Sequence, residues 1–150
     1  MSKILVAYGS LTGNTQMVAE RIADHCKSHG HVVTLQNIGE LSPDDLTTYE
    51  VLIIGSSTWD DGQLQVDAQG IVDQFNRSPI SLANTRYATF GCGDSSYVTF
   101  CLAVDTLSDL LKKAGSKQLI SGLKIDGFPE MPENITATEQ WNKKLTESIT

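Results

Sequence analysis

Ile4-Leu5-Val6-Ala7-Tyr8-Gly9-Ser10-Leu11-Thr12-Gly13-Asn14-Thr15 contains two changes of pattern within twelve residues. Residues 4–8 are an apolar run of strand formers, and residues 3–8 read as the first strand. Residues 10–15 are a turn dense in hydroxyls. Residues 14–29 then place Val18, Ile22 and Cys26 at i, i+4 spacing, and Gly30 supplies a helix stop. A helix amino terminus therefore follows directly on a strand's carboxyl end. Such a junction aims unpaired backbone N–H groups and a positive partial charge at one small volume. Ser10, Thr12, Asn14 and Thr15 add side-chain donors, and Leu11 and Gly13 complete the loop. The turn contains no Lys or Arg, and it matches neither G-x-x-x-x-G-K-[ST] nor G-x-G-x-x-G. A single terminal phosphate held by neutral donors is the reading that fits.

The same alternation continues along the chain. Val32 to Gln36 reads as a second, more polar strand, suited to an edge. Val51-Leu52-Ile53-Ile54-Gly55 is apolar throughout, as a strand covered on both faces should be. Residues 66–77 read as a helix with Val72 and Phe75 inward, and Arg86 to Gly91 as a fourth strand. Residues 101–114 carry Leu107, Leu110 and Leu111 on one face and stop at Gly115. Leu119 to Ile125 reads as a fifth strand, broken around Gly122. A capping box, Thr136 with Glu139, opens a last helix bearing Trp141, Leu145 and Ile149 at i+4 spacing. Five strand–helix units predict an α/β fold: one domain over residues 1–150, with a doubly wound, five-stranded parallel sheet and helices on both faces. Ligands of such sheets bind beyond the carboxyl ends of the strands, where strand order reverses. Three segments are expected there: 9–15, 56–62 and 91–100.

With 18 acidic and 11 basic residues the net charge is −7, which disfavours nucleic acid and favours a basic protein partner. No run approaches the ~20 apolar residues of a membrane span. The first strand begins at once, without a signal-peptide core, and the three cysteines are not closely paired. A cytoplasmic protein is expected.

The second loop, Ser56-Ser57-Thr58-Trp59-Asp60-Asp61-Gly62, carries a Trp in a polar setting. The third, Gly91-Cys92-Gly93-Asp94-Ser95-Ser96-Tyr97, carries a Tyr. Taken singly, a hydroxyl-rich turn is an ordinary helix cap and a loop Trp an ordinary core anchor. At three neighbouring strand ends these features reinforce one another. Two aromatics facing across a gap would hold a flat conjugated ring, each contact contributing about 0.5–1.5 kcal/mol beyond area burial. Trp141, at helical spacing with Leu145 and Ile149, is expected in the core, and Cys26 as a buried small hydrophobe. Asp44, Asp45 and Glu50 read as solvated. His25, His29 and His31 gather near the end of the first helix, where the helix dipole accounts for them more simply than a metal.

These residues resemble flavodoxins over nearly the whole chain. Thr12-Gly13-Asn14-Thr15 is similar to the family's phosphate loop. Gly91 to Tyr97, followed by Phe100-Cys101, is similar to the third flavin loop of short-chain members. Asp105 and Leu123-Lys124-Ile125-Asp126-Gly127 also fit that pattern. The resemblance implies strand order 2-1-3-4-5 and flavin mononucleotide (FMN) bound without a covalent link. Ser10, Leu11, Thr12, Gly13, Asn14, Thr15 and Ser57 would hold the phosphate. Trp59 and Tyr97 would sandwich the ring. Backbone groups at Thr58, Asp60, Gly93, Asp94 and Cys101 would meet the ribityl chain and ring edge, with Cys92 and Phe100 packed nearby. The implied protein is a low-potential single-electron carrier, not an enzyme. A ferredoxin- or flavodoxin-NADP reductase or a photosystem is implied as donor, and reductive enzymes as acceptors. It is expected to be a monomer that docks through Asp60, Asp61, Asp67 and Asp94.

Many short-chain members have Gly where this chain has Asp60, whereas Gly62-Gln63-Leu64-Gln65 resembles members with Asn at that place. A turn that must adopt φ > 0 is poorer with Asp than with Gly. Asp60→Gly is therefore expected to stabilise the one-electron-reduced protein by ~1 kcal/mol, read by potentiometric titration. A surround rich in carboxylates, without a cation at the phosphate, predicts a strongly reducing second couple. Two other readings remain: a small flavin-dependent reductase of the same fold, betrayed by two-electron chemistry, and a non-redox phosphate-binding module, betrayed by indifference to flavin.

Overall fold

Ile4 and Val6 point into one buried cluster and Leu5 and Ala7 into another, all four with no exposed surface. That alternation follows from the two-residue repeat of a strand covered on both sides. The computed structural model describes residues 2–9, 13–58, 65–94 and 101–149. Its strands are β1 (Lys3–Gly9), β2 (Val32–Asn37), β3 (Val51–Ser56), β4 (Arg86–Gly93), β5 (Lys117–Gln118) and β6 (Leu123–Asp126). Its helices are α1 (Asn14–Ser28), α2 (Val66–Arg77), α3 (Leu102–Lys113) and α4 (Pro132–Ile149). All described strand pairs are parallel, in the order β2-β1-β3-β4-β5, with β6 also on β4.

Two helical layers close the sheet. α1 contributes Val18, Ala19, Ile22, Ala23 and Cys26 to one cluster, and α4 adds Trp141, Leu145 and Ile149. α2 contributes Ala68, Ile71, Val72 and Phe75 to the other, and α3 adds Ala103, Leu107 and Leu111. The Trp141 ring is anchored by its indole N–H, which donates to the Ser121 carbonyl at 2.8 Å. β2 is an edge strand with no fully buried residue, as its polarity predicts. Among the described residues, no helix is long and apolar enough to cross a membrane.

The structure revises three local expectations. The fifth strand is split: Arg86 pairs with Lys117 but Phe90 pairs with Leu123, so the edge carries two more residues than β4 over the same span. Gly122 lies in that interruption, where a Cβ would meet Val104 Cγ1 at 2.4 Å. The last helix starts at Pro132, four residues before Thr136. Proline is well suited to a first helical turn, and the Asn134 amide secures that turn by donating to the Asp126 and Phe128 carbonyls, both at 2.9 Å. Asp45 is also more than a solvated charge. It accepts the Ser42 N–H at 2.9 Å and so closes the capping box of the short 3-10 helix Pro43–Thr48.

His31 leaves the helix-end group of histidines and ties β2 to the first residues. It is buried, and its Nδ1 accepts the Ser2 N–H at 3.1 Å, which places the ring proton on Nε2. Burial, aided by the charges of the N-terminal amine and His29, lowers its pKa below 6.5. The folded chain then holds fewer protons than the unfolded chain once pH falls below the unfolded value. This contribution is full above that value and is lost as pH drops through the folded pKa. Urea midpoints followed from about pH 7.5 to 5 should fall more steeply for the wild type than for His31→Gln; parallel curves would refute the assignment.

Candidate functional site

The carboxyl ends of β1, β3 and β4 lie side by side, and β2 and β3 flank β1 on opposite sides, so strand order reverses there. Segments from four parts of the sequence meet there. Gly13 precedes α1 in a left-handed conformation (φ 91°), a shape glycine adopts without penalty, and among the described residues no side chain caps the helix. The first intrahelical bond runs from Met17 N–H to the Gly13 carbonyl at 3.0 Å. The amides of Asn14, Thr15 and Gln16 therefore have no intrahelical acceptor. No acidic residue occupies this first turn.

Thr15 is fully buried in that turn, and its Oγ1 finds no hydrogen bond of ordinary geometry among the described residues. Its polar neighbour is the Cys92 thiol, a weak partner. A buried hydroxyl left without a good partner costs roughly 1–3 kcal/mol. Next to uncapped amides, it marks a place prepared for an anion. These groups fit the phosphate of FMN.

The β3 and β4 ends are laced together around this turn. Ser57 N–H donates to Gly9 O at 3.3 Å and Thr58 N–H to Cys92 O at 3.0 Å. Gly93 approaches the amino end of α3 so closely that a Cβ would lie 3.0 Å from Cys101 N. Its carbonyl accepts the Gly127 N–H at 2.9 Å, which brings the Leu123–Gly127 run to the site. In the same region Lys124 pairs with Asp105 at 3.0 Å, an exposed contact of small energetic weight. Asp94 is exposed at the end of β4.

Of the residues expected at the cofactor, Gly13, Asn14, Thr15, Ser57, Thr58, Cys92, Gly93, Asp94 and Cys101 are thus gathered at one end of the sheet. Ser10, Leu11, Thr12, Trp59, Asp60, Asp61, Tyr97 and Phe100 lie outside the described residues. Three positioning residues escape sequence reasoning. The Thr58 hydroxyl accepts the Ala103 N–H at 2.9 Å and so caps α3 from a different loop. The buried Ser56 hydroxyl accepts the Gln65 N–H at 3.1 Å and donates to Ser57 O at 2.9 Å. Gln65 in turn caps α2, its Oε1 accepting the Asp67 N–H at 2.9 Å. Ser and Thr in turns carry no sign of a distant partner, and Gln is not a usual cap residue.

The thiols are structural. Burial raises Cys26 and Cys92 to about 11 and Cys101 to about 12. Cys92 belongs to the α1 side of the sheet, beside Thr15. Cys101 directs its Sγ to the Gly91 and Ile125 carbonyls at 3.8 and 3.7 Å. At about pH 8 the folded protein should resist a thiol-reactive disulfide reagent, with full labelling only in urea. Rapid reaction of any native thiol would contradict the burial.

The comparisons agree with this geometry. The flavodoxin family model matches residues 6–141. A flavodoxin of Maridesulfovibrio salexigens is 35% identical over 150 residues, covering 99% of this chain and all of that one. A flavodoxin of Nitratidesulfovibrio vulgaris is 34% identical over 139 residues, covering 91% and 94%. The crystal structure of oxidised flavodoxin 2 from Bacillus cereus superposes with a TM-score of 0.92 at 34% identity, covering 97% of this chain and 99% of that one. The chain belongs to the flavodoxin family of FMN-binding electron carriers.

Proposed function

We propose that residues 1–150 form one FMN-binding unit that relays single electrons between redox proteins, with the phosphate seated on the amino end of α1. One observation carries the assignment: a helix start that no side chain caps among the described residues, next to the buried and poorly partnered Thr15 hydroxyl, at the reversal in strand order. The Asn14, Thr15 and Gln16 amides and the Thr15 hydroxyl donate to the phosphate, with Ser10, Thr12 and Ser57 completing the cradle. Thr58 and Gly93 fix the two loops from which Trp59 and Tyr97 flank the ring. FMN, when bound, supplies one-electron chemistry.

Partner recognition belongs to the same end of the molecule. Among the described residues, four of the five exposed large hydrophobics, Val66, Leu102, Phe128 and Met131, follow strand carboxyl ends, and Val32 does not. Asp67, Asp94, Asp126 and Glu130 lie at that end too. Exposed apolar side chains and carboxylates at one end suit a partner with a basic docking face, such as an NADP-linked reductase or a photosystem as donor and reductive enzymes as acceptors. A cytoplasmic monomer fits this transient docking.

Spectra of the purified protein during stepwise reduction test the reading. Bound flavin that takes up electrons in two resolved one-electron steps is expected. A protein that ignores added FMN, or takes up both electrons together, would overturn it.

A further inference from the structure

At the opposite end of α1 from the phosphate turn, His25 and His29 stand one helical turn apart. Their ring centroids are 4.4 Å apart and their planes are inclined by 35°. Each ring has one nitrogen already engaged, and the partners decide which. His29 Nδ1 lies 3.0 Å from the His25 carbonyl, which can only accept, so Nδ1 carries the proton and donates. Ser28 Oγ, 3.2 Å from the same nitrogen, spends its own proton on the His25 carbonyl at 2.6 Å. His25 Nε2 lies 3.3 Å from Thr146 Oγ1. That hydroxyl donates to the Asn142 and Lys143 carbonyls at 3.2 and 3.1 Å, so toward His25 it accepts. The lone pairs are thus left on His25 Nδ1 and His29 Nε2.

We propose that His25 and His29 form a bis-imidazole site for a borderline divalent transition-metal ion, taking Cu²⁺ ahead of Ni²⁺ and Zn²⁺. Histidines at i, i+4 on one helix face can chelate a single ion. A backbone carbonyl or hydroxyl behind each ring, holding tautomer and orientation, is the usual support of a metal-ligating His. The ring spacing is also suitable. With metal–nitrogen bonds of about 2.0 Å, two imidazoles at a right angle have centres roughly 4.4 Å apart, and tetrahedral ligands lie about 5 Å apart. The observed centroid spacing of 4.4 Å falls within reach of one shared ion, and the preference for Cu²⁺ follows from the affinity order of imidazole ligands. A cation here also faces the negative end of the helix dipole. His31 is excluded, because its Nδ1 is committed to Ser2 N–H. Among the described residues no group of three or more His, Cys, Asp or Glu could hold a metal, so water fills the other positions and the ion exchanges.

The test is a Cu²⁺ titration of the oxidised, untagged holoprotein against a competing chelator, with electron paramagnetic resonance of the product. One equivalent bound through two nitrogens is expected, with Zn²⁺ weaker. His29→Ala and His25→Gln should each weaken Cu²⁺ binding by about tenfold or more, because the chelate is lost, and His31→Gln should leave it unchanged. Binding that survives His29→Ala, that is lost in His31→Gln, or that is absent from the wild type would overturn the proposal.

Discussion

Gly91→Ala should largely abolish the native fold at the cofactor end, costing about 3 kcal/mol or more. A Cβ at Gly91 would stand 2.3 Å from the Ser56 carbonyl oxygen and 2.8 Å from Val104 Cγ2. The first obstacle is backbone and has no rotamer to change. Relief requires the β3 and β4 ends to part, and that seam carries the Thr58 N–H bond to Cys92 O, while Gly93 beyond it packs closely on Cys101. Gly70→Ala is the matched control. Gly70 lies within α2, and a Cβ there meets nothing within 4 Å. It should stabilise the protein by roughly 0.5–1 kcal/mol, the helix-propensity difference between the two residues. Urea unfolding of both variants, with and without FMN, checks the pair. Near-native stability of Gly91→Ala would mean that the strand ends are more yielding than their packing indicates.

That contrast also marks what could be read in advance. β3 and α2 were legible because their patterns are strong: Val51 to Ile54 can be covered on both faces only in an interior strand, and α2 matches the range 66–77 given by its periodicity. The strand order rests on the flavodoxin resemblance, since local pattern does not encode it. The start of α4 is hidden because Thr136 and Glu139 have the right types for a cap, whereas the actual start depends on Asn134 reaching back to the Asp126 and Phe128 carbonyls. For the fifth strand, Gly122 signals the break but not that the edge gains two residues between the Lys117 and Leu123 pairings. Within the site, Thr15 was visible as a member of a hydroxyl-rich turn. The bridge from Thr58 to α3 was not, since it joins residues 45 positions apart. Local chemistry was readable where a residue acts on its own turn and hidden where it acts across the fold.

Thr15→Val separates binding from folding. In the apoprotein the substitution removes a buried hydroxyl that has no good partner and keeps the branched shape, so stability should hold or rise slightly. FMN affinity should fall by about 10- to 100-fold, or ~1.5–3 kcal/mol, the range of a hydrogen bond to a charged acceptor. Riboflavin lacks the phosphate, and its affinity should be unchanged. Thr15→Ser should keep most of the FMN affinity, which assigns the effect to the hydroxyl. Fluorescence titration of the apoprotein with both flavins measures all of these. Equal losses for FMN and riboflavin would place Thr15 among packing residues. An unchanged FMN affinity would remove its hydroxyl from the phosphate site and leave the backbone amides of α1 to hold the anion without it.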